Sequence, residues 1–165
     1  MEVKIIRSRR RKRTVSARLV KDLLVVSAPM FLHGEQLEKI VSKFKLKFER
    51  KRIKDELDKA QSLFDIASNI NEKYFGNRLN IASIEYVIDQ NSKFGCCDYN
   101  KGKIRISHKV GLMPQWVRDY VIIHELAHLL EPNHGKSFWD IVSRYKLAER
   151  ARGYLMAIRL EKEGE

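Results

Sequence analysis

The chain has 165 residues, 44% hydrophobic and 33% charged, a composition typical of a globular protein that buries a core without disulfide bonds. Its two cysteines, Cys96 and Cys97, are adjacent and poorly placed to pair with each other, which predicts a reduced, cytoplasmic protein. No apolar run approaches the roughly 18 residues of a membrane span, and the basic N-terminus does not resemble a signal peptide.

The formal net charge of +12 is concentrated in the first third of the chain. Residues 1–54 contain 17 Lys and Arg residues and 5 Asp and Glu residues, whereas residues 55–165 contain 16 of each kind. One basic cluster consists of Arg7, Arg9, Arg10, Arg11, Lys12 and Arg13. These side chains are candidate contacts for the phosphates of a nucleic acid or a nucleotide, and a plain solvated face is the equally weighted alternative.

The first half of the chain predicts a small sheet followed by helix. Residues 3–6 and 14–28 have the composition and alternation of short strands, and a turn at Lys21 makes the second segment a β-hairpin. Apolar residues then recur at helical spacing from Gly34 to Tyr74, and Gly76 ends that pattern.

The second half predicts a strand pair followed by three helices. Residues 81–89 and 103–107 alternate apolar and polar side chains, and a polar connection that contains glycine joins them. Helices are predicted from Pro114 to about Leu130, over about 137–146, and over about 148–161.

This order of elements predicts an α+β fold in three segments. Residues 1–34 are predicted to form a basic N-terminal β-hairpin unit, residues 35–75 a helical connector, and residues 76–165 the main core. We expect the three segments to form one compact structural unit.

The strongest chemical signal is a His-Glu-x-x-His motif in the predicted helix that follows Pro114. His124 and His128 are four residues apart, so on a helix both imidazoles face the same way and can share one ion. Glu125 lies beside them, where a carboxylate can act as a base on water. The helix is apolar nearly all round, and burying these polar groups without partners would be costly. A metal is one direct way to satisfy them.

A third ligand is predicted from the turn after this helix. Pro132 should end the helix, because a residue before proline disfavours helical backbone, and His134 can then swing back towards the same ion. Three protein ligands with an open fourth position are typical of catalytic zinc, which predicts one Zn²⁺ per chain. Glu149, on a later helix, is the alternative third ligand. Ser137 and Asp140 are predicted to cap the helix that follows the turn.

Hydrolysis also needs a hydrogen-bond donor that stabilises the oxyanion. The candidates are His108, Tyr120 and Tyr145, and the sequence does not choose among them. Each also fits a structural role, as a surface histidine or as a core or rim tyrosine. Cys96 and Cys97 could approach the metal, but the pattern favours buried structural thiols.

The segment VRDYVIIHELAHLLEPNHGKSFWDIVSRY resembles the YgjP-like, or WLM-type, metallopeptidase domain, which is related to the SprT and Spartan proteases within the zincins. Upstream, QNSKFGCCDYNKGKIRIS resembles the family's Arg-Trp-Gly-Ser-Cys segment, with Phe94-Gly95-Cys96 in place of Trp-Gly-Ser. RSRRRKRTVSARL resembles the family's basic N-terminal hairpin. The resemblance implies a zincin-like catalytic domain with zinc on His124, His128 and His134 and Glu125 as catalytic base.

These observations predict a zinc-dependent metallohydrolase, and first of all a metallopeptidase that cleaves peptides or proteins through water activated by the metal, with nucleic acid as a possible site of action. A metal-dependent nucleoside triphosphate pyrophosphatase or phosphohydrolase is the alternative. A second alternative is a nucleic-acid-binding module with structural or vestigial zinc, against which the intact Glu125 argues. The sequence leaves the substrate and the oligomeric state open.

Overall fold

The computed structural model describes the backbone of residues 1–163 and the side chains of residues 1–159. The chain divides into two compact units, Met1–Ile53 and Lys54–Glu165. Because the division falls inside a helix, the segment 35–75 that the sequence suggested as a connector is divided between the two units. In the described part of the chain, no helix combines the length and hydrophobicity needed to cross a membrane.

The first unit contains a three-stranded sheet made of β1 (Glu2–Ser8), β2 (Ser16–Val20) and β3 (Leu23–Pro29), in the order β1-β3-β2. β2 and β3 are antiparallel and form the predicted hairpin, with Lys21 in the left-handed conformation at φ 55°. β1 pairs with the other side of β3 in parallel, with Ile5 opposite Val26. β3 is therefore the central strand, and most of its residues are buried.

The helical pattern from Gly34 to Tyr74 forms two helices, α1 (Gly34–Ala60) and α2 (Leu63–Phe75). The break has a local cause that apolar periodicity does not reveal. The Ser62 side chain accepts a 3.2 Å hydrogen bond from the backbone N–H of Asp65 and so caps α2. Gly76, in the left-handed conformation, ends α2 where the sequence predicted an end.

The second unit contains a three-stranded sheet made of β4 (Ser83–Val87), β5 (Gly95–Asp98) and β6 (Lys103–Ser107), in the order β4-β6-β5. The predicted strands β4 and β6 do pair, but they are parallel, so the connection between them is not a hairpin. The hairpin is formed by β6 with β5, which lies within the expected polar connection. β5 is an edge strand, since β6 is its only neighbour among the described residues.

Four helices follow, namely α3 (His108–Gly111), α4 (Gln115–Ala127), α5 (Lys136–Val142) and α6 (Ala148–Glu163). α4 begins directly after Pro114, as predicted, but ends earlier than expected, so His128 is its C-cap residue. His128 keeps helical backbone angles, with φ −65° and ψ −17°, which preserves its spacing from His124. The predicted cap of α5 was wrong, because Gly135 is the N-cap residue without a side-chain hydrogen bond and Ser137 lies inside the helix.

The core of the second unit is built around α4. The buried residues of this helix are Val117, Tyr120, Val121, Ile122, Ile123, Glu125, Leu126 and Ala127. All of them except Glu125 belong to one apolar cluster with residues of α2, β4, β6, α5 and α6. A helix buried on nearly every side has little freedom to shift or rotate. The fold therefore holds the His-Glu-x-x-His motif in a rigid element.

Candidate active site

Three histidines converge at the C-terminal end of α4. One ring nitrogen from each of His124, His128 and His134 can be chosen so that all three lie within 4.8 Å of one another. The Nε2 atoms of His124 and His134 are 3.0 Å apart. The structure does not bring Glu149, the alternative third ligand, into this group. Its carboxylate is 83% exposed and accepts hydrogen bonds of 2.9 and 3.2 Å from Arg152.

This donor set fits a metal ion. Burial lowers the pKa of His124 to about 3 and also lowers that of His128, so both imidazoles are neutral, the form that binds a metal. His128 Nδ1 lies 3.1 Å from the carbonyl oxygen of Glu131, which suits an Nδ1–H that donates and leaves Nε2 free as a ligand. A cation between the facing Nε2 atoms of His124 and His134 would satisfy both of them.

Two aromatic side chains of α5 pack against the histidines. Phe138 is fully buried and stacks on His128, with ring centroids 4.6 Å apart. It also contacts His134 and His124 edge-on, at 4.6 and 4.9 Å. Trp139 stacks on His134 at 5.7 Å. Both aromatic residues were missed by the sequence analysis, and their place four and five residues after His134 was the available signal.

Glu125 is buried, with only 6% of its surface exposed, and it packs against β5. A β-carbon built on Gly95 would come within 2.5 Å of Glu125 Oε1, so the carboxyl fills space that only glycine leaves open. Burial raises the pKa of Glu125 to about 8, and the positive charge of Lys93 partly opposes this rise. A bound cation would lower that pKa further towards the usual range. The group can thus exchange a proton near neutral pH.

A pocket of about 640 Å³ lies over the histidines and Glu125. Residues of the β5 segment and of α6 form much of its wall, including Phe94, Tyr99, Leu155 and Met156. A separate cavity of about 500 Å³ contains Tyr145 and none of the three histidines in its lining. The pocket over the motif is therefore the one that could hold a substrate beside a metal.

Of the three suggested oxyanion donors, Tyr120 is the one that lines the pocket. Burial raises its pKa to about 12, so the phenol keeps its proton and can donate it in a hydrogen bond. The hydroxyl of Tyr145 donates to the carbonyl oxygen of Trp116 at 3.0 Å. His108, expected at the surface if it had a structural role, is 3% exposed, and its Nδ1 lies 3.2 Å from the carbonyl oxygen of Val87.

Both cysteines lie in β5 and line the pocket, and both are half-buried. The Sγ of Cys96 accepts a hydrogen bond of 2.9 Å from the side-chain amide of Gln90. Burial raises the pKa of the Cys97 thiol to about 12, so it stays protonated and is a poor nucleophile and metal ligand. These properties favour the structural role that the sequence suggested for the two thiols.

The six residues of the basic cluster do not share one environment. The Nη1 of Arg7 lies 2.8 Å from the carbonyl oxygen of Leu32, 3.3 Å from that of Met30 and 3.0 Å from Nδ1 of His33. Its guanidinium therefore holds the loop after β3. Arg7 is exposed, as are Arg9, Arg10, Lys12 and Arg13, and Arg11 is partly buried.

Comparison with known proteins identifies a metallopeptidase family. The model of the YgjP-like metallopeptidase domain matches residues 47–146, well over half of the chain, and that span contains all three histidines and Glu125. In fold, the chain is similar to the crystal structure of the metallopeptidase zymogen of Pyrococcus abyssi abylysin. The two share 22% identity and a TM-score of 0.50, over 59% of this chain and 91% of that one. No curated protein matches the chain. The chain therefore belongs to the YgjP-like metallopeptidase family.

Proposed function

We propose that this protein is a zinc-dependent metallopeptidase in which His124, His128 and His134 hold one zinc ion and Glu125 is the catalytic base. The observation that carries the proposal is the convergence of three imidazole nitrogens within 4.8 Å, next to a buried carboxyl in an open pocket. Bound zinc would polarise the scissile carbonyl and acidify the attacking water. A set of three protein ligands leaves a coordination position open, as catalytic sites require.

Glu125 moves the proton in this scheme. Its carboxylate accepts a proton from the attacking water and passes it to the amine that leaves. The close approach of Gly95 and the burial of α4 keep the carboxyl in one position, so little reorganisation is needed during the reaction. The Tyr120 hydroxyl is the donor best placed to stabilise the oxyanion, because it lines the same pocket and keeps its proton.

The position of β5 supports a peptide as the substrate. β5 is an edge strand and its residues Gly95, Cys96 and Cys97 line the pocket. The unpaired backbone N–H and C=O groups of an edge strand can hydrogen-bond to an extended peptide. A peptide paired with β5 would have its backbone beside Glu125 and the histidines.

The proposal is tested with metal-loaded protein on unfolded protein, short peptides and nucleoside triphosphates in parallel. We expect peptide bonds to be cleaved, chelation to stop cleavage, and Glu125→Gln to lower the rate by about 100-fold or more. Glu125→Gln should keep its metal, because it removes no ligand. Hydrolysis of nucleoside triphosphates without cleavage of any peptide would instead support the phosphohydrolase alternative.

We also propose that the exposed part of the basic cluster binds a polyanion such as nucleic acid. Arg9, Arg10, Lys12 and Arg13 all expose their side chains, and the net charge of the chain is concentrated in this region. Arg7 is left out of this surface, because its guanidinium is hydrogen-bonded within the fold.

A further inference from the structure

The pocket over the histidines is strongly cationic. Three of its lining residues carry a full positive charge, namely Lys93, Arg152 and Arg159. Glu125 is the only Asp or Glu among the described residues of the lining. A substrate in this pocket therefore meets an excess of positive charge, which favours an anionic group on the substrate.

Arg152 is the cation most closely tied to the histidines. Its guanidinium carbon lies 4.6 Å from the centroid of the Trp139 ring, and that ring stacks on His134. A guanidinium over an indole ring is held in a defined plane, so it can present its paired N–H donors in a fixed direction. Trp139 thus links the position of Arg152 to that of a proposed metal ligand.

A substrate carboxylate can replace Glu149 as the ion-pair partner of Arg152. Nη1 of Arg152 donates to both carboxylate oxygens of Glu149, at 2.9 and 3.2 Å, and Glu149 is 83% exposed. Exposed ion pairs between residues three apart on a helix contribute little stability. A carboxylate of the substrate offers the same two acceptor oxygens from inside the pocket, where there is less water to compete.

The other two cations have different environments. Arg159 donates a 3.0 Å hydrogen bond to the carbonyl oxygen of Ser92 and lies over the ring of Phe94 at 5.9 Å. Its guanidinium therefore joins α6 to the segment before β5 and supports the pocket wall. Lys93 is exposed at the rim and adds positive charge there.

We propose that the pocket selects substrates that carry a carboxylate next to the scissile bond, and that Arg152 binds this carboxylate in place of Glu149. The proposal rests on the proposed peptidase function. The carboxylate can belong to an Asp or Glu side chain or to a free C-terminus, which present the same chemistry to a guanidinium.

The test compares matched peptides that differ by a single group. One pair has Glu or Gln beside the scissile bond, and a second pair has a free or an amidated C-terminus. Two quantities are measured: kcat/KM with the metal-loaded enzyme, and Kd by calorimetry with the metal-loaded Glu125→Gln variant. We expect the peptide with the carboxylate to be preferred by about tenfold in both, an effect typical of one charge-assisted contact.

Three variants assign the preference to a residue. Arg152→Gln should reduce the ratio between the two peptides to about one. Glu149→Gln should tighten binding of the peptide with the carboxylate by about two- to fivefold, because the competing carboxylate is gone. Arg150→Gln is the matched control, since Arg150 lies on the same helix but stacks on Trp116, at 4.7 Å, outside the pocket lining. That variant should keep the ratio of the unchanged protein.

Equal kcat/KM and equal Kd for both members of each pair would overturn the proposal, as would a preference that survives Arg152→Gln. A preference confined to the free C-terminus assigns the carboxylate to the chain end, and one confined to Glu assigns it to a side chain. If the enzyme cleaves no peptide, the peptidase function fails while the Kd comparison still decides for or against the carboxylate site.

Discussion

Gly95 in β5 lies directly against the carboxyl group of Glu125 in α4. A β-carbon on residue 95 would be 2.5 Å from Oε1 and 2.7 Å from Cγ of Glu125, which is too close for any side chain. Gly95 is in an extended strand, so the position requires the absence of a side chain and not an unusual backbone angle. The edge strand and the proposed catalytic base are therefore fitted to each other.

Gly95→Ala should displace the Glu125 carboxyl and lower kcat by about 100-fold, because a base moved by about 1 Å no longer meets the proton it must accept. Bound metal should remain, since the nearest atoms to the added methyl group all belong to Glu125. Peptidase rate and metal content are measured on the same sample. Gly153→Ala is the control, because a methyl group there meets no atom within 4 Å. A Gly95→Ala enzyme with full activity would contradict this account.

Zinc binding should require the three histidines and not Glu149. We expect about one zinc ion per chain, and its affinity should fall by at least about tenfold in His124→Ala, His128→Ala and His134→Ala. Glu149→Ala should bind zinc normally, because its carboxylate pairs with Arg152 at the surface. Elemental analysis after dialysis against a weak chelator measures the difference. Loss of zinc in Glu149→Ala, with retention in His134→Ala, would identify Glu149 instead of His134 as the third ligand.

In the metal-free protein, the contribution of Glu125 to stability should fall as pH rises, whereas the lowered pKa values of His124 and His128 act in the opposite direction at acidic pH. The pKa of Glu125 is raised by burial from 4.5 to about 8, so between these values the folded state holds a proton that the unfolded state has lost. Glu125 therefore adds its full contribution to the free energy of unfolding below pH 4.5, and this contribution is lost as pH rises towards 8.

Glu125→Gln tests this dependence, because the amide is nearly isosteric and does not titrate. In urea unfolding with a chelator present, the variant should become more stable than the unchanged protein as pH increases, by an amount on the order of a few kcal/mol near pH 8. The two proteins should differ least near pH 4. A difference that does not change with pH would show that the carboxyl is not held in its protonated form.

The exposed basic side chains should bind polyanions. Replacing Arg9, Arg10, Lys12 and Arg13 together by Gln should weaken binding to double-stranded DNA by about tenfold or more and make its salt dependence shallower, because fewer counterions are released. Titrations at several salt concentrations measure both effects. Arg7→Gln is the contrasting variant, which should lower stability more than affinity, since it removes hydrogen bonds to the loop after β3. Unchanged affinity in the fourfold variant would identify the cluster as a solvated face.

Elements with a long local pattern were predictable from the sequence. α4 was placed correctly at its start, because Pro114 precedes a long apolar helix, and α2 ended at Gly76 as expected. β5 was missed, because four residues that include one glycine and two cysteines show no alternation, and their strand geometry depends on pairing with β6. The parallel pairing of β4 with β6 was also missed, because the relative direction of two strands depends on how the sheet assembles and not on the local sequence.

The sequence by itself determined the local part of the site. The four-residue spacing of His124 and His128, the glutamate between them and the turn at Pro132 all follow from neighbouring residues, and they were enough to indicate the family. Only the tertiary structure decided how the site is surrounded. The stacking of Phe138 on His128, the contact of Gly95 with Glu125, and the positions of Tyr120 and Arg152 in the pocket lining all depend on how separate segments of the chain pack together. Such contacts depend on how elements pack, which local spacing does not encode.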